Sequence, residues 1–408
     1  MSTISLRGRL GPLVEREYRL LFSATTITTL GDAVAGIALA FAVLDLTGRA
    51  TDLGIVIATR QGANAAVLLF GGVLSDRLRR NRVLVAASLV QGAAQAATAA
   101  VVLSGRGTLG LIVAFQALYG VGNGFVIPAE TGLVPQTVTA ARLQEANALR
   151  GLSRNLVFVV GPAIGGAIVV AGSPGLALAI DAASFLGAAL LLAKIRIPAR
   201  LDVLPQSRFF HELREGWREF VSRTWLWSTV ILFGIGNVFF MFWPVLGPAV
   251  AKEHLGGAGA WATILTVNGA GAVVGGLIAL RHRPRRPLVA AIVWPTMCAL
   301  QFGALALRAP TWVIAGASFF GGLALAVHLT LWFTIFQREI PEHAQSRVSA
   351  YDSLGSFVLM PLGTAIAGPV AALIGTPEAL WLAAGALLVG NTSMLLIPSV
   401  WQIRRVER

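Results

Sequence analysis

Residues 71–87 read GGVLSDRLRRNRVLVAA, and residues 275–291 read GGLIALRHRPRRPLVAA. The two stretches lie 204 residues apart, half of the 408-residue chain, and nine of their seventeen positions are identical. In both, a basic turn ends one apolar run and begins the next. An internal repeat of this kind is typical of membrane transporters built from two related halves around a central site.

The composition predicts a membrane protein with many spans. Apolar residues make up 56% of the chain and charged residues only 12%, whereas a soluble domain carries about a quarter charged residues. About 20 apolar residues cross a bilayer, and the sequence offers twelve such runs. We predict spans at about 18–44, 53–75, 83–104, 108–130, 150–172, 175–194, 226–250, 259–280, 287–307, 311–335, 350–374 and 379–400.

The net charge of +13 is explained by membrane orientation and does not indicate nucleic-acid binding. If both termini are cytoplasmic, the inner segments hold 27 of the 32 Lys and Arg residues. The outer loops then hold only Arg49, Arg106, Lys252 and Arg308. Because positive residues stay on the cytoplasmic side, we predict cytoplasmic N- and C-termini. Of the 32 Lys and Arg residues in the chain, thirty are Arg. This bias favours a bacterial source and hence the bacterial inner membrane.

The chain is predicted to be an all-α membrane protein of twelve transmembrane helices in two pseudo-symmetric six-helix bundles. The bundles are expected at residues 1–194 and 226–408, joined by a cytoplasmic amphipathic linker at 195–225. Within the linker, apolar residues recur at helical spacing (Phe210, Leu213, Trp217, Phe220 and Val221). This pattern predicts a helix on the inner membrane surface. It could serve as a simple tether or as a regulatory docking site.

The motifs of common enzymes are missing from the sequence. A phosphate-binding loop needs a Lys after its glycines, and neither Lys194 nor Lys252 follows one. The five His residues lack the spacing of metal ligands, and we find no nucleophile motif. The sequence therefore predicts a protein that is not an enzyme, with no metal and no cofactor.

Two motifs carry a resemblance to the major facilitator superfamily. The stretch from Gly72 through Asp76 and Arg77 to Arg80 resembles the superfamily's loop between spans 2 and 3, and Arg79 stands where a glycine is expected. Gly161, Pro162, Gly165 and Gly166 in span 5 resemble part of its antiporter motif. Residues 143–149 and 181–185 are similar to the branch that contains macrolide and siderophore exporters.

The resemblance implies roles for these residues. Gly72, Asp76 and Arg77 would gate transport by latching the loop against the other half. Independently of the resemblance, the small residues and proline of span 5 would let helices approach closely and bend. The superfamily's antiporters often carry an Arg in span 4, and this chain has Gln116 at the matching position. Proton coupling by that usual arrangement is therefore in doubt.

Charged residues at bilayer depth are costly and point to function. Asp32 lies near the middle of span 1, and Arg60 lies about seven residues into span 2. We predict that they pair, either as a static ion pair or as one that opens when Asp32 takes a proton. Asp181 is expected to be interfacial. Asp352 is expected to have a partner at the inner start of span 11, and the second half has no clear mid-span acid.

Neutral polar and aromatic residues within the spans complete the predicted site. By the superfamily plan, spans 1, 2, 4, 5, 7, 8, 10 and 11 face the cavity. The predicted cavity residues are Gln116, Asn155, Asn237, Phe240, Trp243, Asn268, His328 and Trp332. A lining of this kind suits an amphipathic small molecule better than a sugar or a bare ion.

The leading hypothesis from the sequence is export of amphipathic small molecules by proton antiport through alternating access, as in drug or secondary-metabolite efflux. The expected partners are the substrate, protons and the lipid bilayer, and the protein is expected to be a monomer without nucleic acid. Two alternatives remain open at this point. One is a facilitator or importer of a lipid-like or metabolite substrate, and the other is a non-transporting membrane sensor with the same fold.

Overall fold

The computed structural model describes residues 11–197 and 209–404, and no strand occurs in these ranges. Ten helical segments are long and apolar enough to cross a membrane. They are Arg16–Thr47, Arg80–Leu103, Leu109–Thr137, Ala140–Ala171, Pro174–Ala193, Thr224–Leu255, Ala258–Arg281, Pro287–Ala306, Thr311–Glu339 and Arg347–Ile374. The other two predicted spans coincide with helices Ala50–Arg77 and Thr376–Met394, of 28 and 19 residues. The count of twelve spans stays a prediction.

The chain divides into two compact units. The first unit comprises Met1–Gly48 and Thr59–Leu204, and the second comprises Arg49–Ala58 and Pro205–Arg408. One helix, Ala50–Arg77, therefore contributes residues to both units. The domain boundaries expected from the sequence, at 194 and 226, stay a prediction.

Seven α-helices lie within residues 11–197. They are α1 (Arg16–Thr47), α2 (Ala50–Arg77), α3 (Arg80–Leu103), α4 (Leu109–Gly124), α5 (Val126–Thr137), α6 (Leu143–Ala171) and α7 (Pro174–Ala193). Eleven follow within residues 209–404. They are α8 (Phe209–Val221), α9 (Thr224–Phe240), α10 (Phe242–Val250), α11 (Ala258–Arg281), α12 (Pro287–Val293), α13 (Cys298–Ala306), α14 (Thr311–Glu339), α15 (Glu342–Phe357), α16 (Met360–Ile374), α17 (Thr376–Met394) and α18 (Pro398–Gln402).

Prolines account for the places where a span is broken into two helices. A proline has no N–H for the carbonyl four residues before it. Pro128 follows the break between α4 and α5, and Pro244 follows the break between α9 and α10. Pro295 lies in the short 3₁₀ segment that separates α12 from α13. Each break leaves backbone carbonyls that side chains can use as acceptors.

The sequence repeat appears as the same helix pairing inside each unit. In the first unit α1 packs on α6 and α7, and α3 packs on α7. In the second unit the repeat-related helices pair likewise, with α9 on α16 and α17, and α13 on α17. Glycines bring backbones together at related places, since Gly124 meets the carbonyl of Asn64 and Gly322 meets that of Asn268.

The amphipathic segment of the linker forms helix α8, which packs against α15. Trp217 and Phe220 lie beside Tyr351, with ring centroids 5.4 and 5.9 Å away. Glu215 forms an ion pair with Arg347. Phe220 is buried, whereas Trp217 remains about half exposed. Part of the apolar face expected at the membrane surface is therefore covered by a neighbouring helix, and the side chains of Phe210 and Leu213 lie outside the described residues.

Candidate functional site

A partly buried ion pair joins α1 and α2 in the first unit. The Nη2 atom of Arg60 donates to Oδ1 of Asp32 over 3.1 Å. The Tyr119 hydroxyl, from α4, donates to the same carboxylate oxygen. The Arg60 guanidinium carbon lies 3.7 Å from the Tyr119 ring centroid, where a cation is attracted to an aromatic face. Tyr119 therefore holds both members of the pair in place.

A second carboxylate lies deeper in the same unit. Asp181 is fully buried, and its Oδ2 accepts from Nε2 of Gln95 over 2.8 Å. The Ser184 hydroxyl donates to Oδ1 over 3.3 Å. Gly31 makes room for this carboxylate, because a Cβ there would meet Asp181 Oδ1. The expectation that Asp181 is interfacial is wrong, since packing of α7 against α1 and α3 excludes it from the unit's surface.

Gln116 belongs to this buried network. Its Nε2 donates to Gln95 Oε1 over 3.1 Å and to Thr98 Oγ1 over 3.2 Å. All three side chains are fully buried. The polar chain thus runs from Asp181 through Gln95 to Gln116 among fully buried side chains. Gln116 serves here as an internal hydrogen-bond partner.

Asp32 connects this ion pair to a cavity of about 610 Å³ in the first unit. Its side chain is 34% exposed and lies in the cavity wall. The other polar lining residues are Thr25, Thr26, Thr28, Thr29, Ser88, Gln91, Asn123, Glu130, Asn147, Arg150, Ser153 and Arg154. Phe22, Val157 and Phe158 add apolar wall. The volume is in the range of sites that bind small molecules.

A second ion pair lies in the wall of this cavity. Glu130 Oε1 is 2.5 Å from Arg150 Nη2, and both side chains are largely buried. The pair joins α5 to α6. Tyr18, on α1, donates nearby to the carbonyl of Ala146 over 2.7 Å.

The glycines of span 5 lie where α6 meets α1. A Cβ at Gly161 would meet that of Ala33, and one at Gly165 would lie 2.9 Å from the carbonyl oxygen of Val34. Pro162 and Gly166 are buried in the same stretch. Asn155, predicted to line the cavity, is exposed and is not among the lining residues.

The remaining predicted cavity residues lie in the second unit, mostly in its packed interior. Asn237 Nδ2 donates to the Ser356 carbonyl over 2.8 Å, and Asn268 Nδ2 donates to that of Ser318 over 2.9 Å. Trp243 is buried against Trp261 and Phe302. Phe240 packs on the same Phe302 ring, with centroids 6.1 Å apart.

His328 and Trp332 lie one helical turn apart on α14 and line a small cavity. His328 Nδ1 is 2.7 Å from the carbonyl oxygen of Ala291. That carbonyl lies four residues before Pro295, which cannot donate to it. Since a carbonyl only accepts, Nδ1 carries the proton. The proline break thus fixes the orientation of the histidine ring.

The predicted gate lies outside the described side chains. Gly72, Asp76 and Arg77 are within α2, which continues to Arg77. The gating role of these residues stays a prediction. Among the described residues no group of three or more His, Cys, Asp or Glu could hold a metal ion.

Two contributors to the polar network, Tyr119 and Ser184, have no clear signal in the sequence. They stand in apolar helices and reach the two carboxylates only through helix packing. Gln95 is a polar residue within span 3, which indicates an interhelical hydrogen bond, and its acceptor is Asp181. The threonine cluster at residues 25–29 is visible in the sequence as a further polar signal. Four threonines within five residues of an apolar span indicate a polar helix face.

Helices packed around a polar cavity, with charged side chains inside the spans, define a multi-pass membrane transporter. A sequence profile of the Major Facilitator Superfamily matches residues 21–364. The chain belongs to this superfamily.

Curated relatives match nearly the whole chain at low identity. The enterobactin exporter EntS of Salmonella typhimurium is 26% identical, over 96% of this chain and 94% of its own length. The macrolide efflux protein A of Streptococcus pyogenes is 20% identical, over 96% and 97%. Both relatives are named for export.

Solved structures share the fold. A bacterial homologue of the iron transporter ferroportin, in an inward-facing state, gives a TM-score of 0.71 at 17% identity, over 93% of this chain and 98% of that one. A bacterial homologue of the human lysosomal transporter Spinster gives 0.70 at 14% identity, over 96% and 99%. The comparisons indicate a non-enzymatic transporter of small molecules.

Proposed function

We propose that this protein exports amphipathic small molecules from the bacterial cell in exchange for protons, by alternating access. The observation that carries the proposal is the placement of Asp32. Its carboxylate is paired with Arg60 inside membrane spans and is at the same time exposed in the wall of a cavity. An acid with this placement can exchange a proton with the cavity. The change in its charge then alters the ion pair that joins α1 to α2.

The arrangement suggests what proton uptake would do. A neutral Asp32 binds Arg60 more weakly, because the Coulomb attraction is lost. The guanidinium would keep its contact with the Tyr119 ring. In this proposal, opening the Asp32–Arg60 pair loosens α1 from α2.

Export is supported by the relatives and by the cavity lining. Both curated relatives are named as exporters or efflux proteins, one for enterobactin and one for a macrolide. The cavity mixes threonines, charged pairs and phenylalanine, a lining suited to molecules with polar and apolar faces. Within the same proposal, Gly72, Asp76 and Arg77 gate the cycle, and the span-5 glycines with Pro162 provide close helix packing.

The test uses purified protein in liposomes with a pH-sensitive dye inside. Enterobactin and a macrolide are the first two compounds to add, because the relatives are named for them. We expect one of them, or another amphipathic compound from a panel, to drive proton movement in the wild-type protein. In the Asp32→Asn variant we expect that movement to fall to the level of empty liposomes, because an amide cannot carry the proton.

Asp45→Asn is the matched control, since Asp45 is exposed near the C-terminal end of the same helix. It should move protons at the wild-type rate. If Asp32→Asn also matched the wild type, the coupling role of Asp32 would be wrong and the ion pair would be structural. If no compound moved in either direction in inside-out vesicles, the transport proposal itself would fail.

A further inference from the structure

We propose that a small cavity in the second unit binds the protonated amine of a substrate, with Asp352 as its counter-ion. The inference rests on the proposed function and deepens it, because it names the charge class of the molecules transported. The cavity lies between α9, α14 and α15 and has a volume of about 70 Å³. About 10–15 Å³ is enough for one water molecule, so the cavity can admit an ammonium group with its first carbons.

Asp352 is the only charged side chain among the described residues that line this cavity. It is 92% buried, since only 8% of its surface is exposed. Its Oδ2 accepts from the Trp332 indole N–H over 3.2 Å. Its Oδ1 is buried and makes no well-aligned hydrogen bond, although Ser356 lies beside the carboxyl one turn further along α15. A buried carboxylate oxygen without a partner is costly, and an N–H donor from a ligand would satisfy it.

The walls of the cavity suit a cation. The ring of Phe233 stacks on His328 at 4.7 Å, and His328 stacks on Trp332 at 6.4 Å. Aromatic faces attract ammonium groups, and the rings of Phe233 and Trp332 both line the cavity that Asp352 borders. His328 already donates through Nδ1 to Ala291. Its other nitrogen can then remain unprotonated, so the ring need add no positive charge against an incoming cation.

The position along the chain fits a molecule entering from the predicted cytoplasmic side. Asp352 is the sixth residue of the span Arg347–Ile374, about 7–8 Å along it at 1.5 Å per residue. Arg347, the basic residue at the start of that span, forms an ion pair with Glu215. Asp352 thus lies near the predicted inner start of span 11, and its partner there is the Trp332 indole N–H.

The test measures binding to the detergent-solubilised full chain, without transport. The probes are octylammonium, octanol and octanoate, which share one alkyl chain and differ in charge. We expect titration calorimetry to show octylammonium binding at least about tenfold more tightly than the other two, a difference of about 1.4 kcal/mol. Asp352→Asn should remove this preference, because it keeps the shape of the side chain and deletes its charge.

Two further variants make the result specific. Glu378→Gln removes an exposed carboxylate elsewhere in the second unit and should leave the octylammonium preference unchanged. Trp332→Phe keeps an aromatic face and should weaken octylammonium by less than Asp352→Asn does. Equal binding of the three probes by the wild type, or an unchanged preference in Asp352→Asn, would overturn the proposal. A failure of proton-coupled export leaves this binding result standing, so the two proposals fail separately.

Discussion

Asp32 meets three kinds of neighbour at once: a guanidinium, a phenol hydroxyl and a cavity. Arg60 supplies charge, and Tyr119 supplies both a hydrogen bond to Asp32 and a ring beneath Arg60. The sequence was sufficient to predict the first contact, because two opposite charges inside neighbouring spans must satisfy each other. It did not reveal Tyr119, since an aromatic residue in an apolar helix carries no sign of its partner.

At the residue scale, we predict that Tyr119→Phe impairs coupling. The substitution keeps the ring under Arg60 and removes only the hydrogen bond to Asp32. A hydrogen bond to a charged group contributes about 1.5–3 kcal/mol, so substrate-driven proton flux should fall by about tenfold or more. The measurement is the liposome assay with the pH-sensitive dye.

Tyr18→Phe serves as the control for that variant. Tyr18 is also fully buried in the first unit, and its hydroxyl donates to a backbone carbonyl. The Tyr18→Phe protein should therefore be destabilised to a similar extent but keep the wild-type substrate-driven proton flux. Equal flux in the two variants would argue that Tyr119 only stabilises the fold.

At the scale of helices, breaks and close approaches position the site. Pro295 frees the carbonyl that orients His328, and Pro128 divides span 4 so that Tyr119 and Glu130 lie on separate helices. The prolines are visible in the sequence. Which side chain uses a freed carbonyl is not, because that depends on the helix packed against it.

We predict that Gly165→Ala destabilises the first unit. A methyl group there would lie 2.9 Å from the backbone oxygen of Val34, and overpacking of this kind costs about 1–3 kcal/mol. The thermal denaturation midpoint of the detergent-solubilised protein should fall. Gly36→Ala, on the facing helix, has open space around the added methyl and should leave the midpoint unchanged or slightly higher. A fall of equal size in both variants would show that helix packing at Gly165 is not the cause.

At the scale of the whole molecule, orientation follows from charge. Three of the four Arg residues in the first basic turn (Arg77, Arg79 and Arg82) recur at offset 204, while Asp76 is replaced by Leu280 in the second. Both basic turns are therefore expected on the cytoplasmic side, because cytoplasmic loops carry an excess of Lys and Arg. We therefore predict cytoplasmic termini and outer loops that contain residues 104–108 and 308.

Cysteine labelling tests this orientation. Cys298 is the one cysteine of the chain, so Cys298→Ala gives a background without thiols. On that background, Ser104→Cys should react with a membrane-impermeant maleimide in intact cells, because residue 104 is exposed after α3. Arg404→Cys should react only in inside-out vesicles. The reverse pattern would contradict the predicted topology.

The sequence by itself determined the class of protein, the repeat, the positions of most spans and the Asp32–Arg60 pair. These follow from hydropathy, charge and duplication, which are properties of residue order. Only the tertiary structure decided that Asp181 and Gln116 are buried together, that Asp32 borders a cavity lined by threonines, and that Asp352 lies beside an aromatic cavity. Such placements depend on which faces of separate helices meet, and residue order along one helix does not specify its neighbour across the bundle.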